Sequence, residues 1–115
     1  STQDLVLLFK EYHLALVYAN TAKNTADPGQ RQAQVEQARQ HMKAAIEHVV
    51  DYRDHFLPLV RKQSDALSSL KRCAPQKYVA NFLAILREAT YLFDRAFGGE
   101  SLLNFMDQKT AAAKG

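Results

Sequence analysis

His41, His48 and His55 recur at intervals of seven, a spacing that stands them in one column along a helix. Imidazole binds metals and titrates near neutrality, so the column is the first place to look for chemistry. At the helical rise its successive members lie about 10 Å apart, too far for two of them to share one ion. A chelate would need Asp51, three residues after His48 and four before His55, together with ligands from another helix. Carboxylate-bridged di-iron bundles place a Glu-x-x-His pair on each of two helices. This chain contains no such pair. The column therefore reads first as histidines on the rim of a helix contact, with no metal or other cofactor expected. A pH-sensitive contact is the intermediate reading, because three imidazoles along one rim would charge together below about pH 6.

Cys73 follows Lys71 and Arg72, and nearby cations lower a thiol pKa. It also sits at an expected helix C-terminus, where the helix dipole opposes a thiolate, so it reads as a plain buried cysteine. His13 with Glu11 is an equally weak acid-base pair. Between Arg61 and Lys77 the chain carries Arg61, Lys62, Lys71, Arg72 and Lys77 against the single acid Asp65. Lys71, Arg72 and Lys77 could touch phosphates at a helix corner, with Tyr78 available to stack on a base. The plainer account is a charged helix end and a soluble surface. No zinc-finger, helix-turn-helix or RNA-recognition pattern accompanies the corner. The four glycines, Gly29, Gly98, Gly99 and Gly115, fall at helix ends and form no phosphate loop, which argues against nucleotide hydrolysis.

The elements that must position these residues are organised around 35–59. Val35, Met42, Val49 and Phe56 repeat in one register and Ala38, Ala45, Tyr52 and Leu59 in another, while Gln40, Glu47, Asp54 and Arg61 face the other way. This predicts a helix from Pro28, with Asp27 as its cap and Gln30 completing a capping-box variant. Pro58 must kink or stop it. A first helix is expected over 3–24. Leu5, Leu8, Phe9, Tyr12, Leu16 and Ala19 form its stripe, and Val6, Leu7, Leu14, Val17 and Tyr18 spread apolar surface further round it. Such a helix wants neighbours on more than one side. A weaker stripe of Val60, Ala66, Leu67, Leu70 and Cys73 predicts a third helix. A fourth runs from Pro75 to the Gly98–Gly99 stop through Val79, Phe82, Leu83, Leu86, Ala89, Phe93 and Phe97, widened by Tyr78, Ile85 and Leu92. From about Ser101 a short helix offers Leu102, Leu103, Phe105 and Met106 as a cap over one end of the core.

With no strand-like alternation, the fold class is all-α: a single domain over 1–115, an up-down antiparallel bundle of four main helices plus a short C-terminal one. That order supposes a break at Pro58. If Pro58 only bends the helix, the first and fourth helices pack antiparallel on its two halves and leave faces open to a second chain.

The chain has 115 residues, 47% of them hydrophobic, and a net charge of +3, which suits one self-covering core and does not mark a dedicated nucleic-acid binder. One cysteine points to a reducing, intracellular and cytoplasmic setting. The longest apolar run, Leu5 to Phe9, fits neither a membrane span nor a signal peptide. The chain opens on Ser1, which is compatible with a piece cut from a longer protein.

The expectation is a non-catalytic module that binds another protein or its own copy, with Leu7, Leu14 and Tyr18 as the face left over once the core is built. The alternative is a nucleic-acid-binding accessory subunit using the basic corner, and a metal-dependent enzyme ranks third.

Overall fold

A computed structural model describes residues 2–56, 58 and 75–112. The third helix, expected from the Val60–Cys73 stripe, lies outside them, Lys71 and Arg72 included. Every regular element among the described residues is helical: α1 (Thr2–Lys23), α2 (Pro28–Asp51) with a π-helical turn at Tyr52–Phe56, α3 (Pro75–Phe97) and α4 (Leu102–Ala112).

Each boundary has a local cause. Helix α1 ends in a turn where the Asn24 and Thr25 amides donate to the Thr21 and Ala22 carbonyls. Helix α2 starts as its sequence predicts. Asp27 is extended (φ −71°, ψ 121°), its Oδ2 accepts from the Gln30 amide at 2.9 Å, and Pro28 stands at the first helical positions. Its far end shows what a proline does to the residues before it. Pro58 has no amide hydrogen and its ring crowds the carbonyl four residues back, so the winding loosens to π-type over Tyr52–Phe56, while Pro58 itself is in helical backbone. Helix α3 stops at Gly98 and Gly99, both left-handed at φ 67° and 74°, and the Gly98 amide closes on the Asp94 carbonyl at 2.9 Å.

The seam read from the sequence is the core of α2: Val35, Ala38, Met42, Ala45, Val49 and Tyr52 are buried, with Ile46 and Val50 beside them, and Gln40 and Glu47 are exposed. Helix α2 touches each of the other three. Its most extensive contact is with α1, whose buried positions Leu8, Ala15 and Ala22 repeat every seven residues. Small buried residues on both helices, Ala15 and Ala22 on α1 and Ala38 and Ala45 on α2, let the two backbones approach closely. Full burial of larger side chains such as Leu8, Met42 and Ile46 contributes about 1.5–3 kcal/mol each.

Directions follow from the cross-helix contacts. Glu11 meets His41 and Asp4 meets His48, so α1 and α2 are antiparallel. Arg39 reaches the Gly98 carbonyl and Arg53 the Thr110 carbonyl, while Arg87 pairs with Asp107. The C-terminus of α3 therefore lies beside the first half of α2, and these two are antiparallel as well. Both α1 and α3 thus oppose α2, and the end of α3 lies beside the same half of it as α1. An up-down order with a separate third helix would instead set Pro75–Phe97 parallel to α2, and the described residues do not show it. The molecule is elongated, 57 × 25 × 17 Å, with a radius of gyration of 16.2 Å against about 13 Å for a compact chain of this length.

Candidate functional site

The histidine column divides. His41 Nδ1 donates to Glu11 Oε2 at 2.5 Å, and its ring stacks on Tyr18 with centroids 5.4 Å apart. His48 Nδ1 stands 3.5 Å from Asp4 Oδ1. His55 Nδ1 donates to the Asp51 carbonyl one turn back, at 3.2 Å. Two of the three histidines thus line the α1–α2 edge opposite carboxylates that are themselves seven residues apart. No group of three or more His, Cys, Asp or Glu that could hold a metal occurs among the described residues.

Leu7, Leu14 and Tyr18 lie on the flank of α1 beside this edge, each half-buried, with Tyr18 packed against the core. The more open apolar residues of α1 are Val6, Phe9, Leu16 and Val17. The reason is angular: α1 meets α2 through Leu8, Ala15 and Ala22, and that seam partly covers Leu7, Leu14 and Tyr18. Of the basic corner, Lys77 is on the first turn of α3, and its partners Lys71 and Arg72 lie outside the described residues.

What the helices build instead is an apolar groove of about 530 Å³ between α1 and α3. Tyr12, Ala15, Leu16, Ala19 and Lys23 form one wall. Ile85, Glu88, Ala89, Leu92, Phe93, Ala96 and Phe97 form the other, and Met42 of α2 lies between them. At one end Phe9 and Phe82 meet edge-to-face with centroids 5.2 Å apart, which closes the groove. Ile85 and Leu92 remain 50% and 52% exposed, and Tyr78, one heptad earlier, 57%. Helix α3 therefore carries two adjacent seams: Val79, Leu86 and Phe93 are buried, and Tyr78, Ile85 and Leu92 are open. The second seam is legible in the sequence as a heptad displaced by one residue, although nothing in it says which seam faces α2.

Two polar devices hold the α3 wall in place, and neither is announced by a motif. Arg39, 2% exposed, donates from Nη2 to the Gly98 carbonyl at 2.8 Å, pairs with Glu36 and lies over the Phe93 ring at 5.4 Å. A cation is favourable there, at the negative end of α3. Asp94 reaches across the Gly98–Gly99 turn to start α4, accepting from the Leu102 amide at 2.9 Å, the Leu103 amide at 3.1 Å and the Ser101 hydroxyl at 2.9 Å. Beside this turn Lys43 binds Glu100 at 2.6 Å, and that ammonium holds the Glu100 carboxyl below its ordinary range. Comparison with known protein families, with curated proteins and with solved structures finds no match to this chain.

Proposed function

We propose that the protein is a non-catalytic helical interaction module and that the α1–α3 groove is where it docks another protein or its own copy. The observation that carries this is the pairing of a wide apolar opening with an ordered core. Phe9, Leu16, Ile85 and Leu92 stay about half-exposed although Leu8, Leu86 and Phe93, one residue away, are buried. Apolar residues gathered along one groove mark a contact site more often than the same residues scattered singly. Alanines lining the groove make room for large side chains from outside, in the manner of knobs entering holes. On this reading a helix laid between α1 and α3 completes a four-helix cross-section with α1, α2 and α3. No helix among the described residues is long and apolar enough to cross a membrane. An intracellular, cytoplasmic setting goes with the same reading and rests on the cysteine usage.

The test is Ile85→Glu combined with Leu92→Glu. Both side chains are open, so thermal stability should change by no more than about 0.5 kcal/mol per site, while solution mass by light scattering falls or a co-purifying partner is lost. Unfolding, or no change in either mass or partner, would remove the groove from the account.

A further inference from the structure

Resting on that docking reading, we infer that the occupant of the α1–α3 groove is a second copy of this chain, joined across a two-fold axis at Leu92 that sets the two α3 helices antiparallel. Every large apolar side chain exposed among the described residues lies on α1 or α3, so these two helices carry the surface in need of cover. The charges beside the open seam of α3 are what select a second copy as its cover. Glu88 stands four residues before Leu92 and Arg95 three after it, so both fall on the same flank of the seam. Both are exposed, and the Arg95 guanidinium lies over the Tyr91 ring, 5.8 Å from its centroid.

In an antiparallel pair of like helices, residues on the same flank of the seam face each other. With Leu92 on the axis, Glu88 of each copy comes within about 1.5 Å of the level of Arg95 in the other, which gives two equivalent ion pairs. The surface is therefore complementary to itself. A parallel pair would set Glu88 on Glu88 and Arg95 on Arg95. An antiparallel pair centred on Ile85 would set Glu88 opposite Phe82 and Arg95 opposite Pro75, so neither charge would be matched. The shape of the groove agrees with the Leu92 axis. Because Phe82 lies level with Phe9, Ala19 of α1 lies level with Leu92, and its small side chain lets the two α1 helices approach. Helix α3 of the second copy, ending at Phe97, stops level with residue 87 and turns away at Gly98–Gly99, about one turn short of the Phe9–Phe82 contact.

The experiment measures dimer dissociation by sedimentation equilibrium on the full chain, with circular dichroism to confirm that each variant folds. The wild type should dimerise reversibly. Glu88→Arg alone and Arg95→Glu alone each place like charges opposite one another, so each should weaken the dimer about tenfold or more. The double variant should recover it, and an equimolar mixture of the two single variants should associate more tightly than either does with itself. A contact with an unrelated protein or a parallel dimer predicts neither recovery. A wild type that stays monomeric up to its solubility limit overturns the inference. So does a dimer indifferent to the single changes, or one that the double variant does not restore. If the wild type is monomeric while the Ile85→Glu, Leu92→Glu variant loses a co-purifying partner, only the second copy is lost. If that variant changes nothing, the docking reading fails as well.

Discussion

Gly98 and Gly99 share a backbone conformation and differ in what surrounds them. A Cβ at Gly98 would meet nothing within 4 Å, whereas one at Gly99 would stand 2.9 Å from Arg39 Nη2. That guanidinium is buried and tied to the Gly98 carbonyl, so it cannot swing aside without losing its hydrogen bond. Gly98→Ala should cost about 1–2 kcal/mol for the left-handed backbone alone. Gly99→Ala should cost roughly 1–3 kcal/mol more, because it also displaces a charged hydrogen bond, and urea unfolding of the two variants measures the difference. The Lys43–Glu100 pair is exposed on its acidic side. Its depressed carboxyl pKa means that the stabilisation is present above the ordinary glutamate range and is lost as pH falls through the folded-state value. Lys43→Met should flatten that acid limb of a stability profile, and an unchanged limb would assign it to other carboxylates.

Helix α4 shows how an element of eleven residues is held by its ends. Asp94 satisfies its first amides, Arg53 binds the Thr110 carbonyl at 3.1 Å, and only Leu102 and Met106 are fully buried. Isolated helices of this length are marginal in water, so the cap should decide whether the helix forms. Asp94→Ala is expected to cost about 1–2 kcal/mol and to speed amide exchange at Leu102 and Leu103 while exchange in α2 is unchanged. Equal acceleration in all helices would mean that Asp94 supports the whole fold instead. The sequence placed the helix start near Ser101, whose hydroxyl accepts from the Asn104 amide, but did not reveal Asp94, which takes the Leu102 and Leu103 amides from the preceding helix across a glycine turn.

At the scale of the molecule, the outcome for Ile85 and Leu92 separates a core from a contact surface, since both positions sit on a helix whose neighbouring seam is fully used. The sequence by itself determined helices α1 to α4, the buried seam of α2 from Val35 to Tyr52, the Asp27–Pro28 start and the glycine stop of α3. Each depends on residues within a few turns of one another, so periodicity and capping chemistry suffice to read it. Only the tertiary structure decided that α1 and α3 both oppose α2 and that Phe9, Leu16, Ile85 and Leu92 stay uncovered while Leu7, Leu14 and Tyr18 are partly buried. The physical reason is that a helix apolar on more than one side has several ways to bury a stripe. Which one it takes is fixed by partners distant in sequence, here by alanines that admit α2 against Leu8, Ala15 and Ala22 and by an arginine, Arg39, that ties the end of α3 to it.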